Sequence, residues 1–342
     1  MSERNGRVAA AGRVVTFGEA MVRFTPAGNE RLERSIRLDL SPGGAELNTA
    51  VTLACLDVPA TWVSLLPDNA LGRYIDRHAR GSRVDTSDVQ WTPEPEGRMG
   101  LYFLEEGADP RPSAVTYDRA GSAIARVAPG TFDWPALLDG AAALHISGIT
   151  PAVSDGCRAE TFAAMRAANA ARVPVFFDLN YRSKLWSEED ARACFVELVP
   201  MVDILFASRG GLRTFYGLDG GHGEIMEAAR NRLGVAVVAM TRKKAKGSRG
   251  IKLLGLALGP SGELAQTEWR QVEITDRLGG GDAFAGGFIA GYLADATNLQ
   301  RAVSLGLAAS ALKHTMPGDF LCATRAEIEA ATAVEEAGVL QR

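Results

Sequence analysis

Apolar residues recur along this chain in two rhythms. Short runs rich in β-branched and aliphatic residues read as strands: VVTFG at 14–18, WVSLL at 62–66, ALHIS at 143–147, VPVFFD at 173–178, DILFA at 203–207 and VAVVAMT at 235–241. Helical patterns separate them, notably at 45–56, 157–172, 188–199 and 223–233. This alternation predicts an α/β fold with a mainly parallel sheet between helices, connected by right-handed crossovers. From Asp282 to His314 two helices run nearly back to back. Phe284, Phe288, Ile289, Tyr292 and Leu293 recur at helical spacing on the first, and Leu305, Leu307, Ala308 and Leu312 on the second, as core-facing stripes do.

The rhythm breaks at 21–42 and at 97–119, where GRMGLYFLEEG and AVTYDR flank a polar Gly/Pro loop. These segments predict a small second sheet beside the main one, suited to a lid that keeps water from a site. No repeat or low-complexity linker divides the chain. One unit over about 13–337 is expected, containing both lid segments and following a disordered tail at 1–12.

Composition narrows the function classes. With 342 residues, 46% hydrophobic and 23% charged, the chain can bury a large core. A net charge of −4 with scattered Lys and Arg lacks the basic stripe of a nucleic-acid binder. Cys55, Cys157, Cys194 and Cys322 form no CxxC pair, which argues against a zinc site or disulfide framework and for free thiols in a reducing compartment. The first dozen residues hold no apolar h-region and no stretch approaches the ~18 apolar residues of a membrane span, so a cytoplasmic protein without a membrane partner is expected. His78, His145, His222 and His314 show no ligand spacing, and no GxSxG is present, so zinc and hydrolase chemistry find no support. His145, inside an apolar strand, reads as a satisfied core histidine.

The stretch that carries most chemistry is DRLGGGDAFAGGF, Asp276 to Phe288. Consecutive glycines let backbone N–H groups converge, and a helix N-terminus adds partial positive charge, which together make an anion hole. Asp282 could then accept a proton from a substrate hydroxyl while Gly279, Gly280 and Gly281 hold a migrating phosphoryl group. The same residues would also serve as an Asp cap after a glycine turn. No GxxxxGK[ST] exists, so a phosphate site here is not of the P-loop type.

GGGDAFAGGF resembles the GAGDxFxxGF signature of the ribokinase-like (PfkB) carbohydrate kinases, and SPGGAELNTAVTLACL, Ser41 to Leu56, resembles their N-terminal signature. The resemblance runs from about residue 13 to residue 337. Within the family the likeness is to 2-keto-3-deoxygluconate kinases, through GEAMVRFTP at 18–26, GLYFLEEG at 100–107, SGITPAVS at 147–154, DLNYRSKLW at 178–186 and KHTMPGDF at 313–320.

The resemblance implies a three-layer αβα sandwich with a mainly parallel central sheet and a small β-sheet lid. It also implies ATP and Mg²⁺, with a monovalent cation as an optional addition, and a homo-oligomer. Gly43, Gly44 and Asn48 would line the sugar pocket, Tyr102 and Arg119 would reach in from the lid, and Arg182 and Asp319 would complete it. Nucleotide contacts would come from Ser208, Thr241, Arg242, Gly279 and Gly281. Residue chemistry agrees in part. The planar fork of Arg182 suits the carboxylate of a sugar acid, although an arginine in that place also reads as a surface ion-pair residue. Asn48 is a poor helix former one turn into an apolar helix, where it needs a polar partner or a cleft. Gly43 and Gly44 equally suit a turn, and Tyr102 a half-buried strand position.

Two departures stand against the family pattern. Ser208 to Gly211 holds no acid where many members carry an NxxE-type motif linked to magnesium and phosphate, and MTRKKAKGSRG at 240–250 is basic where a Gly-rich nucleotide stretch is usual. The expected activity is ATP-dependent phosphorylation of the terminal hydroxyl of 2-keto-3-deoxygluconate to its 6-phosphate. The alternatives are a kinase of a neutral sugar or nucleoside, such as fructose, ribose or adenosine, and a sugar- or nucleotide-binding relative without catalysis.

Overall fold

Two-residue alternation along buried strands sends apolar side chains to both faces of a sheet, and in this chain each face meets its own helical layer. The computed structural model describes residues 12–93, 96–246 and 249–333, so residues 1–11 of the expected tail and 334–337 of the expected unit lie outside the described residues. The strands in chain order are β1 (Val14–Phe17), β2 (Met21–Pro26), β3 (Leu38–Gly43), β4 (Ala60–Val63), β5 (Leu65–Pro67), β6 (Gln90–Thr92), β7 (Gly100–Glu105) and β8 (Ala114–Asp118). They continue with β9 (Ala143–Ser147), β10 (Val175–Asp178), β11 (Ile204–Phe206), β12 (Val237–Ala245), β13 (Gly250–Leu258), β14 (Leu264–Gln266) and β15 (Arg270–Glu273).

The main sheet runs β14-β13-β12-β11-β10-β9-β1-β4, with β15 also paired to β13. From β4 to β12 every pair is parallel, and β13 to β15 add antiparallel strands. On β10, Val175 and Phe177 join the core beneath the helices Asp155–Ala170 and Glu188–Leu198. Phe176 points the other way, toward Phe206 and Phe288 and the helices Ala45–Cys55, Gly280–Ala294 and Leu299–His314. Burying one such phenylalanine stabilises the fold by about 1.5–3 kcal/mol. The result is the three-layer αβα arrangement expected from the alternating pattern.

The second sheet, β3-β2-β7-β8, is drawn from the two segments where the rhythm breaks, with β3 running one residue past the first of them to Gly43. A third, two-stranded sheet pairs β5 with β6, because WVSLL splits between β4 and β5. The basic stretch after Met240 is no glycine loop; it extends β12 into an antiparallel hairpin with β13, in the register Thr241↔Gly255 and Lys243↔Leu253. His145 is buried, and burial pushes its ring down to about 4; the Phe176 backbone hydrogen-bonds the ring, while Nδ1 has no partner among the described residues. No helix among the described residues is long and apolar enough to cross a membrane.

Candidate active site

Parallel strands that end in register leave their following loops side by side, and open α/β sheets bind ligands at that edge. Here Asp178 at the end of β10 lies opposite Phe206 at the end of β11, which lies opposite Ala239 of β12. The Asp178–Trp186 loop, Ser208 and Thr241 therefore share one rim. Two cavities open there. The larger, of about 970 Å³, is lined by Gly43, Gly44, Asn48, Tyr102, Arg119, Arg182, Gly279, Asp282 and Asp319. The smaller, of about 390 Å³, is lined by Asp178, Arg182, Ser208, Thr241 and Gly281 among others. Tyr181 and Arg182 belong to both, and Asp282 follows Gly281 directly, so the carboxylate sits where the cavities adjoin.

The two signature segments meet at that point. Asn48 Nδ2 donates to Asp282 Oδ2 at 2.7 Å, which answers the need of a mid-helix asparagine for a polar partner. Gly279 caps the helix Gly280–Ala294 in a left-handed conformation, φ 78°, and its missing Cβ lets the turn pack on the Asp319 backbone. The first N–H groups of that helix have no acceptor within it and carry its positive dipole end. Burial pushes the Asp282 carboxyl up to about 6; the Asn48 hydrogen bond and the charges of Arg182 and Lys243 oppose the rise, and Asp319 adds to it. Burial, with the charge of Asp282, also lifts Asp178 to about 7.

On the lid side, the Tyr102 hydroxyl and the Asp319 carboxylate converge on Gly43, where any Cβ would collide with both. Asp319 Oδ1 accepts from Arg23 Nη1 at 2.9 Å, and the same nitrogen lies 2.6 Å from Asp276 Oδ2. Arg119 lines the larger cavity but is ion-paired with buried Glu19, which also accepts from Ser122 Oγ at 2.6 Å. Asn48 Oδ1 and Arg119 Nε are buried without a partner among the described residues, and the Tyr102 hydroxyl has the Asp319 carboxylate beside it. Orphan polar atoms around a cavity are what a polyhydroxylated ligand would satisfy.

Two expected residues, Gly280 and Arg242, lie outside both cavity linings. Gly280 lines neither cavity; its backbone packs against the His314 ring. Arg242 stacks over Trp269 at 5.2 Å, with Lys244 at 4.6 Å, because strand alternation turns residues 242 and 244 away from the cavity-facing Thr241. Ser208 stays in the lining of the smaller cavity, where its Oγ also caps the helix Arg209–Tyr216 by accepting the Gly211 N–H at 3.0 Å. Alternation also places Lys243 on the Thr241 face, where it acts electrostatically on Asp282, Arg182 and Asp178. A lysine inside a basic run gives no sequence signal for that position.

Among the described residues no group of three or more His, Cys, Asp or Glu could hold a metal. Mg²⁺ retains several waters and binds through one or two carboxylates plus phosphate oxygens, so this cleft fits a metal delivered on a nucleotide rather than a resident ion.

A family model described as pfkB family carbohydrate kinase matches residues 11–326. The 2-dehydro-3-deoxygalactonokinase of Haloferax volcanii is 35% identical over 95% of this chain and 98% of its own. The 2-dehydro-3-deoxygluconokinase of Bacillus subtilis is 29% identical over 90% of each chain. The crystal structure of 2-dehydro-3-deoxygluconokinase from Thermotoga maritima matches with a TM-score of 0.90 at 34% identity, covering 95% of this chain and 99% of that one.

Proposed function

The chain belongs to the pfkB family of carbohydrate kinases, and from that premise we propose that it transfers the γ-phosphoryl group of ATP to the terminal hydroxyl of a 2-keto-3-deoxy sugar acid, the gluconate or its galactonate epimer. The observation that carries the proposal is the Asp282 carboxylate, held by Asn48 at a helix N-terminus where two cavities adjoin, the larger of them bordered by the unpartnered Asn48 Oδ1 and Arg119 Nε.

In this reading Asn48 occupies Oδ2 and leaves Oδ1 to take the hydroxyl proton. The sugar oxygen bonds to the γ-phosphorus as the bond to the ADP oxygen breaks. The N–H groups at the start of the Gly280–Ala294 helix stabilise the charge on the phosphoryl oxygens, with Lys243 and Arg182 adding positive potential. Mg²⁺, when bound, would neutralise phosphate charge. Positioning and charge neutralisation supply most of the catalysis, so Asp282 need not be a strong base. The β3-β2-β7-β8 sheet serves as the lid that excludes water.

Arg182 is assigned the sugar carboxylate. A charge-assisted hydrogen bond contributes about 1.5–3 kcal/mol, so Arg182→Ala should lower kcat/KM for the acid roughly 10–100-fold. The decisive comparison is the acid against its carboxamide: the variant should lose the preference for the acid, and an unchanged preference refutes the assignment. A second reading, a kinase of a neutral sugar or nucleoside, draws on the pairing of Arg119 with Glu19, which removes one cation from the lid side of the cleft.

A further inference from the structure

Arg23, in the middle of β2, is a charged side chain only 2% exposed, and it serves the lid sheet and the phosphate-binding turn at once. Its Nη1 lies 2.6 Å from Asp276 Oδ2 and 2.9 Å from Asp319 Oδ1, and its Nε donates to Thr25 Oγ1 at 2.8 Å within its own strand. Asp276 shapes the turn: Oδ1 accepts from Leu278 N–H and Oδ2 from Gly318 N–H, both at 3.0 Å. That turn leads into Gly279, which packs on the Asp319 backbone. Asp319 presents its other oxygen beside Tyr102 and Gly43 in the larger cavity. One guanidinium nitrogen thus joins the loop that would hold the phosphoryl group to the loop that would hold the sugar.

We infer that Arg23 is a positioning residue that sets the register between the sugar-covering sheet and the Gly279–Asp282 turn. This rests on the kinase reading above and deepens it. The charged and titratable groups around it are Asp276 and Asp319, Glu106 at 3.9 Å from Nη2, the Tyr102 hydroxyl, and buried Lys313, whose Nζ donates to the Met316 carbonyl at 3.1 Å; Asp282 lies beyond Asp319. Arg23 and Lys313 balance the two aspartates. Losing the guanidinium removes the charge and hydrogen bond that oppose the rise of the Asp319 carboxyl, so Asp319 in the free enzyme takes up its proton at higher pH.

The test compares wild type with Arg23→Gln and Arg23→Lys, each checked for folding by circular dichroism, using MgATP and the sugar acid that wild type turns over. Arg23→Gln should lower kcat about 10²-fold, the scale of a misregistered reacting pair. Its KM for ATP should stay unchanged, and the acid limb of kcat/KM should move up by about one pH unit. Arg23→Lys, which restores the charge without the fork, should return the acid limb to its wild-type position and recover only part of kcat. A folded Arg23→Gln enzyme with wild-type kcat and acid limb overturns the inference and leaves Arg23 a structural strut. Should Arg23→Gln fail to fold, Arg23→Lys alone decides: reduced kcat at an unmoved limb supports the inference, and wild-type kcat overturns it. Inactive wild type on every sugar tried is a different failure, that of the kinase reading itself.

Discussion

At the scale of single residues, the proposed chemistry rests on Asp282 and the asparagine that holds it. Asp282→Asn should leave fold and nucleotide binding intact and lower turnover by roughly 10²–10⁴-fold, the scale of general-base loss. Near-normal turnover would remove Asp282 from the chemistry. Because the base must be ionised and burial places its carboxyl at about 6, turnover should rise as pH climbs through that value. The Asn48 hydrogen bond lowers it, so Asn48→Ala should shift the rise to higher pH, and an unmoved or lower midpoint contradicts the pairing. Asp282, Asn48, Tyr102 and Asp319 were legible because each stands in a recognisable motif. Lys243, Asp178 and Arg23 were not. Their places beside the cleft come from strand register and from burial between segments far apart in the chain, neither of which local pattern encodes.

At the scale of elements, the packing of the helix that carries Asp282 is set by its small residues. A Cβ on Gly287 of the Gly280–Ala294 helix would stand 2.7 Å from the Leu305 carbonyl oxygen, and one on Gly286 would stand 2.6 Å from the Thr52 Cβ. Gly287→Ala gains about 1 kcal/mol of helix propensity. It meets backbone that cannot yield, however, and overpacking of this kind costs about 1–3 kcal/mol. A lower denaturant midpoint is expected; a higher one would mean the two helices can separate cheaply. The buried parallel strands were plain as short apolar runs between helical stretches. The β12–β13 hairpin was hidden because β12 leaves the core after Met240 and stacks Arg242 and Lys244 on Trp269, so its outer half alternates between charges rather than between apolar and polar residues.

At the scale of the whole molecule, the helix Ala45–Cys55 links the end of β3 to Asp282 through Asn48, and its first turn carries a buried acid. Glu46 Oε1 accepts from Ser147 N–H at 2.8 Å and from the Ser147 and Thr150 hydroxyls at 2.7 Å. Its Oε2 has no partner among the described residues. Burial outweighs those hydrogen bonds and pushes the carboxyl from 4.5 up to about 7. The folded state therefore holds a proton that the unfolded chain releases. This group's contribution to stability is complete below about 4.5 and is lost as pH rises through about 7. Glu46→Gln should remove the loss, gaining on wild type by about 2–3 kcal/mol between pH 5 and pH 8, at 1.4 kcal/mol per unit. A constant difference across that range would contradict the burial account.

The claim that unites these scales is that the two adjoining cavities phosphorylate an acidic sugar. Its most direct test is an ADP-release assay on the purified protein with MgATP and 2-keto-3-deoxygluconate, 2-keto-3-deoxygalactonate, fructose, ribose and adenosine. Strong turnover confined to one or both keto-deoxy acids is the predicted result; turnover of a neutral sugar or nucleoside instead, or of none of the five, would contradict it.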